Sequence, residues 1–123
     1  MYTNIIRGKV WGDTNKIFSK NNVEIHRIEI NKGGYCSKHR HKTKYNMFYV
    51  EDGELIVTIY RYDANKNIED ITTLEKGEIT YVEPGLFHKF SANIDTIVYE
   101  IYWTELESND IERIQVGGIK NKK

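Results

Sequence analysis

The sequence predicts an all-β fold, an antiparallel sandwich or barrel. Three observations carry this reading. Strand-favouring Ile, Val, Thr and Tyr recur along the chain, with 9 tyrosines against 1 proline in 123 residues. Short runs of these residues are separated by Gly, Asn and Asp at regular short spacing, the pattern of sandwiches and barrels. An apolar period of 3.6 residues holds nowhere for long, except around 108–114.

Taken in order, residues 22–30 form the first candidate strand, closed by Asn31-Lys32-Gly33-Gly34. Residues 35–41 form the next. Residues 46–50 run into Glu51-Asp52-Gly53-Glu54, where Asp-Gly is a hairpin signal. A strand over 55–62 follows, then a polar loop over 63–70. Strands over 71–74, 79–82, 89–92 and 96–103 complete the set. The segment 117–123 is polar and basic and reads as a frayed tail. There is no internal repeat and no linker.

The length bounds the chain to one domain over 1–123, with its core over about 5–116. The 18 basic and 18 acidic residues balance. No strong field therefore steers the chain toward nucleic acid or an acidic membrane. No stretch has the apolar length of a membrane span, and the first ten residues lack a signal-peptide core. The single cysteine, Cys36, excludes a disulfide framework and fits a cytoplasmic protein. A lone Cys beside two glycines is more simply a small packing residue than a nucleophile.

The chemistry is concentrated in the histidines. Gly33 is followed after five residues by His39, then His41, then after four residues Asn46 and after six Gly53. Gly77, Pro84-Gly85 and His88 make a second, looser group. Period-two alternation puts His39 and His41 on one strand face with Tyr35 and Ser37, and sends Lys38, Arg40 and Lys42 the other way. The basic run that continues to Lys44 is either a solvated strand edge or an attractor of an anionic substrate. Two imidazoles need a further ligand, and His88 after its Pro-Gly turn is the candidate. Neutral imidazoles suit Zn, Fe, Ni, Cu and Mn. Asn46 offers a neutral carbonyl oxygen, a weaker donor than a carboxylate. Three histidines with open positions still make a catalytic metal site, while a scaffold that has lost its metal is the competing reading. His26 shares a strand face with Ile28 and Ile30 and reads as a hydrogen-bonded histidine at the edge of the core.

The order glycine, paired histidines, glycine, then a second glycine and a lone histidine resembles the two motifs of the cupin superfamily. That resemblance implies a single-domain cupin, a double-stranded β-helix or jelly-roll barrel. It also implies a divalent metal ion (Zn, Mn, Fe or Ni) held by His39, His41 and His88, with Asn46 where the family places Glu. It further implies a homodimer formed through an outer sheet.

A narrower resemblance runs over residues 10–114. Val10-Trp11-Gly12, Arg27-Ile28-Glu29-Ile30, Gly33 with Ser37, Tyr99-Glu100-Ile101 and Ser108-Asn109-Asp110-Ile111-Glu112-Arg113 are similar to segments of the cupin domain of type II mannose-6-phosphate isomerases. The resemblance implies metal-assisted interconversion of an aldose phosphate and a ketose phosphate. Glu100 would act as the proton-shuttling base and Arg113 as an anion-binding residue. Asn46 departs from the family's Glu, His39 stands where its members commonly carry Gln, and Glu83-Pro84-Gly85 moves the proline by one place. Two alternatives stay open: a small-molecule cupin oxygenase or lyase, and a non-catalytic metabolite-binding cupin. The oxygenase reading lacks its carboxylate at position 46. Phe48, Phe90, Tyr81, Tyr99, Tyr102 and Trp103 either line a cavity that stacks on sugar faces or serve the core and a dimer interface.

Overall fold

A computed structural model describes residues 4–104, 112 and 114–120. Its nine strands are β1 (Asn4–Lys9), β2 (Gly12–Lys20), β3 (Val23–Ile30), β4 (Tyr45–Asp52), β5 (Glu54–Asp63), β6 (Lys66–Glu75), β7 (Ile79–Val82), β8 (Phe87–Ser91) and β9 (Thr96–Trp103). They form two antiparallel sheets, one of six strands in the order β1-β2-β3-β9-β4-β7 and one of three in the order β6-β5-β8. No helix occurs among the described residues. The fold is an all-β jelly roll, as the sequence predicts.

Alternation builds the core between the sheets. Ile28 and Ile30 of β3, Phe48 and Val50 of β4, and Val98 of β9 point inward from the larger sheet. Leu55 and Val57 of β5, Leu74 of β6 and Phe90 of β8 meet them from the smaller one. The same inward rows continue toward one end of the sandwich as Asn46, His88 and Glu100, all buried. One end of the interior is therefore apolar and the other polar.

Three expectations need correction, and one hairpin lies where the sequence offers no strand pattern. Asp52-Gly53 makes no hairpin, because β4 and β5 belong to different sheets and Gly53 is the corner between them. Its φ is +94°, and a Cβ there would meet Thr96 Oγ1 at 2.5 Å and the Asp95 carbonyl oxygen at 2.6 Å. The polar stretch 63–70 is no loop: Ala64 and Asn65, at φ 50° and 63°, form a tight two-residue turn, and β6 begins at Lys66. Residues 35–41 are not a regular strand. They lie beside β8 through bridges at Tyr35–Ser91 and His39–His88. Tyr35 is exposed while Cys36 is buried, so the alternation loses phase before His39. Finally, β1 and β2 form a hairpin within residues the sequence reading left unassigned.

The corner generates a test. Gly53→Ala meets both left-handed strain and backbone overlap, and is expected to cost about 3 kcal/mol. Gly77→Ala, at φ +86° with open space around it, meets strain alone and should cost about 1 kcal/mol. Urea unfolding of the two variants measures the difference. Equal losses would show that the corner is not tightly packed.

Candidate functional site

The polar end of the interior is built by four segments. The extended stretch after Gly34 carries His39 and His41, β8 carries His88, β4 carries Asn46 and β9 carries Glu100 and Tyr102. Backbone pairing sets the first two histidines against the third: His39 N–H donates to the His88 carbonyl at 3.0 Å, and His88 N–H donates back at 2.8 Å. Gly85 of the Pro-Gly turn donates to the His41 carbonyl at 2.7 Å. The spacing of the second motif is thus the length needed to turn from β7 into β8 while holding the first motif in place.

One nitrogen from each of His39, His41 and His88 lies within 4.8 Å of the others. His39 Nδ1–H donates to the Ser37 carbonyl at 2.7 Å, and His88 Nδ1–H donates to the Leu86 carbonyl at 2.9 Å. These bonds turn Nε2 of each ring toward the cluster, the usual orientation of a metal-ligating imidazole; His39 Nε2 keeps its lone pair, while His88 Nε2 faces the Asn46 amide at 3.4 Å. His41 Nε2 is buried without a hydrogen-bond partner. Burial first, then the neighbouring imidazoles, pushes His41 down to about 4. Burial also lowers His88. Burial thus favours the neutral form of His41 and His88, and three converging imidazoles fit a divalent ion.

Asn46 reaches the same place. Its Nδ2 donates to Glu100 Oε2 at 3.0 Å and lies 3.4 Å from His88 Nε2, while its buried Oδ1 has no partner. Glu100 is only 6% exposed. Burial raises its pKa, with the Asn46 amide and the Tyr102 hydroxyl opposing that shift. Tyr102 is raised as well, first by burial and then by the nearby Glu100 charge. Glu100 therefore faces inward, the orientation a proton-transferring carboxylate requires.

Of these groups, His39, Glu100 and Tyr102 line a cavity of about 350 Å³ together with Trp11, Thr14, His26, Cys36, Ser37 and Phe90, while His41, His88 and Asn46 are not among its lining residues. That volume lies in the range of small-molecule sites. Trp11 stands edge-on to Phe90 with ring centres 5.1 Å apart. Of the aromatic residues considered from sequence, Phe90 and Tyr102 line the cavity and Phe48 lies in the core. Tyr49, Tyr81 and Tyr99 lie on the outer face of β4, β7 and β9, where Tyr49 contacts Tyr99. Cys36 is buried, accepts the Phe90 N–H at 3.2 Å and is pushed up to about 11 by burial, which agrees with a packing role. Lys38 and Arg40 turn outward onto the rings of Tyr60 and Phe87. Arg113 and most of the 108–114 segment lie outside the described residues.

Sequence reasoning missed three residues of this wall: His26, Trp11 as a lining ring, and Thr14. His26 is hydrogen-bonded, as expected, to Glu24 at 3.0 Å, yet it borders the cavity. The available signal was its inward phase with Ile28 and Ile30, which also points it at the strand that carries Glu100.

The low His41 value sets a pH dependence for the metal-free protein. Between the ordinary 6.5 and about 4, the unfolded chain binds a proton at this site that the folded chain does not. Stability is present above 6.5 and is lost as pH falls through that window. Denaturation midpoints should therefore drop more steeply from pH 6.5 to 4 in the wild type than in His41→Gln. Parallel profiles would place His41 in solvent.

Comparison with known proteins agrees with this architecture. The sequence matches the family described as "Cupin domain" over residues 26–104. No curated protein matches significantly. Several solved structures share the fold. An RmlC-like cupin from Shewanella frigidimarina is 20% identical at a TM-score of 0.69, covering 85% of this chain and 86% of its own. Bacillus subtilis oxalate decarboxylase, described with Mn(II) centres, is 19% identical at 0.70 over 89% of this chain and 29% of its own. The capsular polysaccharide assembling protein CapF from Staphylococcus aureus is 15% identical at 0.72 over 89% and 30%. The family match runs from within β3 to the end of β9 and includes all three clustered histidines, and the two sheets enclose those histidines at one end of a jelly roll; the chain belongs to the cupin family.

Proposed function

We propose that this cupin is a metal-dependent enzyme that interconverts an aldose and a ketose, or epimerises a sugar, as the free sugar or its phosphate. The observation that carries the reading is Glu100, buried in the wall of the cavity that His39 also lines. Moving a proton between adjacent carbons needs a base held near its working range and an electrophile at the carbonyl oxygen. His39, His41 and His88 would hold the ion, and Asn46 Oδ1 is the neutral oxygen donor available beside them. When bound, the ion supplies the Lewis acid that polarises the substrate carbonyl.

The chain's own residues do the rest. Glu100 takes the proton from one carbon and returns it to the next. Asn46 holds the carboxylate at 3.0 Å, and Tyr102 stands beside it. Trp11 and Phe90 provide ring surface for a sugar face and shield the reacting carbons from water. The metal part of the reading is supported by the Mn(II) centres of the oxalate decarboxylase, and the sugar part by the polysaccharide-assembling CapF. Among the described residues, no Lys or Arg lines the cavity. Lys44, over the Tyr102 ring at 5.0 Å, and Arg113 are the cations assigned to a phosphate.

We further propose a cytoplasmic homodimer joined through the outer face of the six-stranded sheet. Phe18, Ile25, Ile101, Met47 and Tyr81 are register partners in one apolar row across β2, β3, β9, β4 and β7. A contiguous apolar face of this kind suits a two-fold contact. Light scattering should give twice the chain mass for the wild type and the single mass for Met47→Glu with Ile101→Glu. A monomeric wild type overturns the dimer.

The activity test joins metal analysis to a substrate screen. Wild-type protein should retain a divalent ion, His41→Ala and His88→Ala should each lose most of it, and Asn46→Glu should bind it more tightly. An NMR screen with a panel of free sugars and sugar phosphates should then show turnover that Glu100→Gln lowers at least about 100-fold while keeping its metal. Full metal content in both histidine variants would reject the triad. No binding or turnover across the panel would reject the isomerase reading.

A further inference from the structure

The cavity wall carries a further titratable side chain that this reaction leaves idle, His26. His26 on β3 is the direct register partner of Glu100 on β9, and both residues line the cavity. Side chains paired in this way have Cβ atoms roughly 5 Å apart. Glu24, two residues earlier on the same strand face, accepts His26 Nε2–H at 3.0 Å. That hydrogen bond is the largest influence holding Glu24 below the usual carboxylate range, with Lys44 and Lys16 adding to it. An anionic acceptor at Nε2 selects the tautomer that leaves Nδ1 bare.

His26 Nδ1 is shielded from solvent and finds no partner in the protein. A buried acceptor without a donor is unfavourable unless a ligand supplies one. The Tyr102 ring, edge-on with centres 5.5 Å apart, fixes the imidazole plane. A histidine oriented by a carboxylate, whose ring borders the cavity while its other nitrogen is enclosed and unpaired, can act as a general base once a bound ligand reaches that nitrogen.

We propose that His26, oriented by Glu24, is a second proton-transfer residue of the cavity, moving the hydroxyl proton between substrate oxygens while Glu100 moves the proton between carbons. This rests on the aldose–ketose reading. The Glu100 carboxylate takes the proton on C2. The C2–H pair becomes the C1–C2 double bond, and the carbonyl pair moves onto O1. His26 Nδ1 accepts the O2 hydroxyl proton and delivers it to O1. The pair left on O2 forms the C2 carbonyl, and the double-bond pair takes the proton back from Glu100 at C1. Both residues end as they began.

The test uses the metal-loaded full-length protein in D₂O with the panel sugar that turns over fastest. His26→Gln should lower kcat at least about 100-fold with little change in KM. Deuterium exchange at the carbon, which Glu100 alone performs, should persist. Glu24→Gln, which can still accept Nε2–H, should retain more activity than Glu24→Leu. Nitrogen-15 NMR of the wild type should show His26 as the Nε2–H tautomer, with its Nδ1 resonance shifting when that sugar is added. An unchanged kcat in His26→Gln overturns the proposal, as does equal loss of turnover and exchange, or a protonated Nδ1. If the wild type turns over no panel sugar, the isomerase reading falls and His26's role with it. If it does and His26→Gln matches it, only the role of His26 falls.

Discussion

The hydrogen bond from Asn46 to Glu100, with His88 at its edge, is the contact on which the site depends. Asn46 and Glu100 come from neighbouring strands of the larger sheet, and His88 comes from the smaller one. One amide therefore links the two layers at their polar end. A buried polar atom left unpaired costs about 1–3 kcal/mol, so the amide and the carboxylate stabilise each other's burial. That burial also raises the Glu100 carboxyl above its ordinary value. The same amide leaves Oδ1 and His41 Nε2 without protein partners, and these are the atoms a cation would satisfy.

The rest of the architecture holds this contact in place. The apolar rows of β3, β4, β5, β8 and β9 clamp the sheets through Ile28, Phe48, Val57, Phe90 and Val98. Beyond Phe48 and Phe90, the same strand faces carry Asn46 and His88. The polar cluster thus has a packed apolar base on one side and the cavity on the other. Reciprocal backbone bonds between His39 and His88 tie the irregular 35–41 stretch to β8. Its histidines are positioned by pairing that a free loop would lack.

Much of this was legible in the sequence where local pattern and final environment agree. The strands 79–82 and 96–103 follow from their β-branched and aromatic runs, and both match β7 and β9 end to end. β6 was read as a loop over half its length because most of its side chains face solvent. A strand exposed on both faces has no apolar alternation to read. β2 is hard to read for a related reason: the bulge at Lys16/Phe18 breaks the alternation and leaves Ile17 and Phe18 exposed. The Asp52-Gly53 signal identified a tight backbone position correctly but could not say whether the chain returns to the same sheet or crosses to the other.

The all-β class, the cupin motifs and the grouping of His39, His41 and His88 follow from the residues alone, because glycine spacing and side-chain alternation are local properties. The sequence also singled out Asn46 and Glu100. Only the tertiary structure decided that Glu100 faces inward, that Asn46 binds it, and that His26, Trp11 and Tyr102 border the same cavity. Those facts depend on which strands become neighbours. β3 lies beside β9, and β9 beside β4, so residues more than fifty positions apart in the chain meet across one sheet. Pairing of that kind is selected by the burial of the whole apolar core, which no short stretch of sequence contains.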